Sequence, residues 1–116
     1  MINMISIYHN PRCSKSRQGL ALLEASGKEF KTIKYLEHSL TVEELEAIIS
    51  KLDINPIDLV RKNEAIWKAE YKGKTLSDNQ IIEAMITNPK LIERPIVINE
   101  TNAVVGRPPE SILSII

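Results

Sequence analysis

The sequence predicts an α/β fold in which a mixed four-stranded sheet carries helices and is interrupted by a helical insertion. Three observations predict it. A strand-like run, a helix-compatible run and a second strand-like run open the chain; capped amphipathic helices fill its middle; two β-rich runs joined by a short turn precede a proline-punctuated apolar close. A β-α-β opening favours a parallel pair with a right-handed crossover, and the later pair has the spacing of an antiparallel hairpin. A length of 116 residues suits one domain, assigned here to 1–116, with the insertion at about 41–92.

Each element has a local reason. Met4-Ile5-Ser6-Ile7-Tyr8 reads as a strand, and His9-Asn10-Pro11 breaks it. A helix follows from Ser14 to about Ser26, with Leu20, Leu22 and Leu23 on its apolar side and Gly27 as its stop. Lys31-Thr32-Ile33-Lys34-Tyr35 alternates like a half-buried strand. Thr41 and Glu44 have capping-box spacing with Leu40 and Leu45 as the staple, and Leu45, Ile48, Ile49 and Leu52 continue one buried face. Pro56–Lys62 and Glu64–Tyr71 read as shorter helical pieces. Ser77 and Gln80 repeat the capping logic, with Leu76 and Ile81 as the staple; Ile81, Ile82, Met85 and Ile86 form the stripe that ends at Asn88-Pro89. Ile96-Val97-Ile98 and Ala103-Val104-Val105 flank the turn Asn99-Glu100-Thr101-Asn102, and Pro108-Pro109 introduces a final helix carrying Ile112, Leu113 and Ile116.

Fifteen basic residues balance fifteen acidic ones, so no global field draws the chain to nucleic acid or an anionic membrane. Any anion site must be local. Arg61-Lys62 is too short a basic run for nucleic acid, no Gly-rich phosphate loop is present, and Trp67 reads as packing. No apolar run approaches the roughly 20 residues that span a bilayer, and Met1 to Tyr8 lacks the basic start and apolar length of a secretory signal. The expected compartment is the cytoplasm, where a lone cysteine stays reduced. Cys13 cannot form an intrachain disulfide, and with His9 and His38 it does not make a metal site.

A single cysteine is ordinarily a small buried hydrophobe. Its neighbours argue otherwise. His9-Asn10-Pro11-Arg12-Cys13-Ser14-Lys15-Ser16-Arg17 surrounds the sulfur with polar and basic groups at a strand-to-helix turn, where free helix N–H groups favour thiolate. Ser16 stands where a dithiol oxidoreductase carries its resolving cysteine, so electrons for any turnover must come from an external thiol. The Ser16 hydroxyl reads either as a donor to that sulfur or as an ordinary helix-start serine.

His-Asn-Pro-x-Cys-x-x-Ser-Arg at 9–17, Arg-Lys-Asn at 61–63, Arg-Pro-Ile-Val at 94–97 and Gly-Arg-Pro at 106–108 together resemble the glutaredoxin-linked arsenate reductases over nearly the whole chain. The resemblance implies a thioredoxin-like fold with a helical insertion. It makes Cys13 the nucleophile, places Arg61, Arg94 and Arg107 around the oxyanion, puts His9 near the thiolate, and implies a cis peptide before Pro95. Forked guanidinium groups suit a tetrahedral oxyanion, although any one arginine alone reads more readily as a solvated surface charge, and only their joint match with the cysteine loop overturns that; His9 alone reads equally as a polar strand-end residue.

The implied activity is reduction of arsenate to arsenite through a Cys13 adduct, with glutathione as co-substrate, glutaredoxin as partner and no bound cofactor. Two alternatives stay open: a glutathione-dependent reductase of mixed disulfides, and a non-enzymatic thioredoxin-like regulator that binds RNA polymerase, whose usual Cys-x-x-Cys this chain lacks. Longer members of the family carry a C-terminal extension beyond the position corresponding to Ile116.

Overall fold

The computed structural model describes residues 4–38 and 40–116; the part of the signal reading that concerned Met1 to Asn3 lies outside them. The opening β-α-β consists of β1 (Ile5–Tyr8), α1 (Ser14–Ala25) and β2 (Phe30–Ile33). Next come α2 (Val42–Leu52), a 3-10 turn at Pro56–Leu59, α3 (Ala65–Glu70), α4 (Asp78–Thr87) and a 3-10 turn at Pro89–Leu91. β3 (Ile96–Ile98), β4 (Ala103–Val105) and a 3-10 helix at Pro109–Ser114 complete the chain. The sheet is mixed, in the order β2-β1-β3-β4. β1 runs parallel to β2 and antiparallel to β3, and β3 and β4 form the expected hairpin.

Two compact units divide these elements. One holds the described residues through His38 together with Arg94–Ile116; the other holds the described residues from Leu40 to Glu93. In the first, Ile7 lies opposite Val97 and Val97 opposite Val104, while Ile5 lies opposite Phe30. These rows put Ile5, Ile7 and Val97 into one apolar cluster with Leu23 and Ile112, bordered by Leu20, Phe30 and Val104. The strand period and the α1 stripe thus meet on one face.

In the second unit α2 packs on α4. Both predicted capping boxes close: Glu44 N–H donates to Thr41 Oγ1 at 3.1 Å and Thr41 N–H to Glu44 Oε1 at 3.2 Å, while the Ser77–Gln80 pair bonds at 3.2 and 2.8 Å. Leu45, Ile48 and Ile49 are buried, as are Ile81, Ile82 and Met85.

Four elements differ from the sequence reading. The helical piece expected at Pro56–Lys62 is a 3-10 turn that ends at Leu59, because Val60 is extended and bridges Ile92. β2 begins one residue earlier and ends at Ile33, because four residues of β1 register with it and the next carbonyl, of Lys34, accepts the Glu37 and His38 N–H groups in a turn. Tyr35 is consequently a turn residue, and it is buried. Pro89–Leu91 continues past the α4 stop as a 3-10 turn closed by Ile92 N–H to Pro89 O at 3.1 Å. The C-terminal helix is 3-10 rather than α, with Ser111 N–H donating to Pro108 O at 3.0 Å, and it buries Ile112 while leaving Leu113 exposed.

Candidate active site

The site is built on the turn that joins β1 to α1. After β1 the chain turns at Pro11-Arg12, and Cys13 N–H donates to Asn10 O at 3.0 Å. Asn10 Oδ1 accepts the Arg12 N–H at 3.0 Å, so one asparagine fixes the turn from both its backbone and its side chain. Arg17 Nη1 reaches back from α1 to donate to Pro11 O at 2.9 Å. Cys13 then takes the N-cap position of α1 with extended dihedrals, φ −96° and ψ 125°, and its carbonyl accepts the Arg17 N–H at 3.0 Å.

This geometry leaves the Cys13 sulfur partly exposed at the positive end of a helix with no acidic residue in its first turn. Partial burial is the largest influence on the thiol and pushes its pKa up. Hydrogen bonding from the Ser16 backbone, a hydrogen bond and positive charge from the Arg94 side chain, and the Lys15 backbone N–H together outweigh it. The net shift is downward, toward thiolate.

Beneath the turn lies a buried polar pair. His9 Nδ1 is 2.6 Å from Ser16 Oγ, and the Asn10 N–H donates to the same hydroxyl oxygen at 3.0 Å. His9 is 4% exposed and Ser16 is fully buried. Burial holds the imidazole pKa below its usual range, with the charges of Lys34 and Arg17 adding to that effect and a hydrogen bond with the Ser16 backbone opposing it. A neutral His9 that accepts the Ser16 O–H at Nδ1 satisfies both groups. The Ser16 hydroxyl is therefore committed to His9 and Asn10, and what Ser16 offers the sulfur is its backbone N–H.

Arg94 and Arg107 flank the β3–β4 hairpin. Arg107 Nη1 donates to Arg94 O at 3.0 Å, and Gly106 N–H donates to Pro95 O at 2.8 Å, tying the two hairpin ends together. The Arg94–Pro95 peptide is cis, as the resemblance implied, and so is Arg107–Pro108, which the sequence reading did not single out. Pro95 lies against α1 where that helix carries Gly19. One unit thus contains Cys13, His9, Ser16, Arg94, Pro95 and Arg107.

Arg61 belongs to the other unit. Its backbone N–H donates to Leu91 O at 2.7 Å, its Nε lies 3.9 Å from Glu93 Oε1, and its buried Nη1 has no hydrogen-bond partner among the described residues. His38 is exposed, and the described residues contain no group of three or more His, Cys, Asp or Glu that could hold a metal. No helix among them is long and apolar enough to cross a membrane. Sequence reasoning missed Asn10 and Arg17 as organisers of the turn, although an asparagine before proline, followed by a basic residue one helical turn past the cysteine, is a legible signal.

A thioredoxin-like sheet that presents a lone activated cysteine at the β1–α1 turn beside an arginine defines the class. The chain belongs to the ArsC family, whose model matches residues 8–115. It is 41% identical over 114 residues to a protein of Haemophilus influenzae named arsenate reductase, covering 97% of this chain and 98% of that one. It is 42% identical over 118 residues to the Escherichia coli protein named "Uncharacterized protein YfgD", covering 100% of this chain and 99% of that relative. An Escherichia coli arsenate reductase is longer: at 39% identity the match covers 97% of this chain and 80% of that protein. Among solved structures, the arsenate reductase of Vibrio cholerae superposes with a TM-score of 0.94 at 46% identity over 100% of both chains.

Proposed function

We propose that the protein reduces arsenate to arsenite, with the Cys13 thiolate as nucleophile and guanidinium groups as the anion site. The observation that carries this reading is a partly exposed Cys13 at the N-cap of α1, with no acidic residue in the first turn and a thiol pKa lowered in part by the Arg94 side chain. A donor that favours thiolate is also placed to bind an oxyanion brought to that thiolate. Arg107, bonded to the Arg94 carbonyl, is the second guanidinium of the reading. Arg61, which belongs to the other unit, is a third guanidinium only as the family resemblance implies.

In this reading the thiolate attacks arsenic, an S–As bond forms, and a protonated oxygen leaves as water. Two thiols then supply the two electrons. Glutathione adds to arsenic with loss of a second water; a glutaredoxin thiol takes the glutathione sulfur as a mixed disulfide, leaving arsenic reduced on Cys13. Water releases arsenite and regenerates the Cys13 thiol. Net, arsenate and two thiols give arsenite, one disulfide and water.

The test is arsenite formation by purified protein supplied with arsenate, glutathione and glutaredoxin. Wild type is expected to turn over and Cys13→Ser to be inactive. Turnover that survives in Cys13→Ser removes the nucleophile from the reading, and turnover that needs neither thiol removes the electron source.

A further inference from the structure

We infer that Arg12 and Lys15 select the charge of whatever reacts at Cys13, favouring carboxylate-bearing thiols and disulfides over neutral and cationic ones. This rests on the reading of Cys13 as a reactive thiolate and deepens it by naming the chemical class of its thiol partner. Arg12 and Lys15 lie one residue before and two residues after the cysteine, and both are exposed. Neither side chain has an ion pair or hydrogen bond among the described residues. Arg17 differs, because its guanidinium is spent on the Pro11 carbonyl. The turn itself does not need Arg12 or Lys15 side chains.

No acidic residue precedes the cysteine or follows it in the first half of α1. The first acidic side chain in the sequence is Glu24, at the far end of α1. Eleven residues of helix place it about 16 Å along the axis from Cys13, roughly two screening lengths away at physiological ionic strength. Arg12 and Lys15 are within about 4 to 8 Å of Cys13 measured along the backbone. A chain with balanced charge overall therefore carries a local cationic rim at its sulfur. An anionic partner is concentrated there and a cationic one repelled, by about threefold in rate for each charge pair at that range.

Disulfide exchange reads this without arsenate. The Cys13 thiolate attacks one sulfur of a symmetrical disulfide; a new S–S bond to Cys13 forms, the old one breaks, and the other half leaves as a thiolate. Cys13 is oxidised and the departing half reduced. Rates would be measured with glutathione disulfide (net anionic), hydroxyethyl disulfide (neutral) and cystamine (cationic), for wild type, R12Q/K15Q and the charge-keeping R12K/K15R. Dividing each variant's anionic-to-cationic rate ratio by that of wild type cancels the intrinsic reactivity of the probes.

The ratio is expected to fall about 80-fold in R12Q/K15Q, threefold for each lost cation against each of the two charged probes, to hold in R12K/K15R, and to shrink for wild type at high salt. A fall of less than threefold in R12Q/K15Q overturns the inference, as does an equal fall in R12K/K15R. The pH midpoint of Cys13 alkylation in wild type is read separately: a midpoint in the ordinary thiol range sinks the activated-thiolate reading whatever the charge ratio shows.

Discussion

Arg94 serves the sulfur in two capacities, and a charge-conserving substitution separates them. Its guanidinium lowers the Cys13 pKa by a hydrogen bond and by charge, and in the proposed reaction the same fork holds the oxyanion. Lysine keeps the charge and loses the fork. Arg94→Lys is therefore expected to retain part of the downward shift of the thiol while kcat/KM for arsenate falls by about 10- to 100-fold, a loss on the scale of one or two charge-assisted hydrogen bonds. Alkylation against pH and steady-state kinetics on the same samples check it; equal kcat/KM in both proteins would mean that no bidentate contact is made. At this scale the sequence was informative about Cys13, because the electrostatics of a turn are set by residues adjacent in the chain. It was silent on the bond from Arg107 to the Arg94 carbonyl, since nothing local in the chain says where one guanidinium of a distant hairpin end will point.

The elements explain why Arg94 can sit near Cys13. α1 carries Gly19 and the segment after β4 carries Gly106, and both face Pro95 and Ile112. A Cβ on Gly19 would lie 2.8 Å from Pro95 Cγ and 2.8 Å from Ile112 Cδ1. Neither partner is free to retreat: Pro95 is a buried ring and Ile112 is fully buried in the core cluster. Alanine ordinarily improves a helix by about 1 kcal/mol over glycine, but here the clash outweighs that gain. Gly19→Ala is expected to lower stability by about 1–3 kcal/mol and to displace Pro95, weakening Arg94's hold on the sulfur. Urea unfolding measures the first effect, and a raised alkylation midpoint for Cys13 reports the second; a stabilised variant with an unchanged midpoint would refute the close approach. The sequence shows Gly19 only as an unfavourable residue in a helix. Helix starts were better marked, since Thr41–Glu44 and Ser77–Gln80 encode their caps in four residues each. The 3-10 segments were legible only as proline-rich punctuation, and the β2 boundary depended on pairing with β1, which is a property of two segments at once.

At the scale of the whole molecule, balanced formal charge leaves the pH dependence of stability to groups whose surroundings shift them. His9 is one such group. Its fold, topology and cysteine turn were readable in advance, yet its protonation was not, because burial against Ser16 and the charge of Lys34 from beyond β2 are consequences of folding. The folded pKa of His9 is lowered, first by burial and then by the Lys34 charge. Below the unfolded value of about 6.5, the unfolded chain binds a proton at this imidazole that the folded chain binds less readily. The unfolded state then holds more protons, so stability falls as pH drops through that value and on toward the lowered folded pKa. Cys13 acts in the same direction at higher pH: its lowered pKa adds stability that is complete above the ordinary thiol range and is lost as pH falls through the folded value. The two groups are separable. His9→Gln, which keeps an amide to meet Ser16 but cannot titrate, is expected to flatten the decline in urea-unfolding stability between pH 6.5 and pH 5 relative to wild type, by about the part that one proton contributes. It should leave the alkaline rise in place, and Cys13→Ser should do the reverse. If wild type and His9→Gln lose stability in parallel below pH 6.5, the imidazole is not held neutral in the folded protein, and the buried His9–Ser16 pair must carry its proton differently.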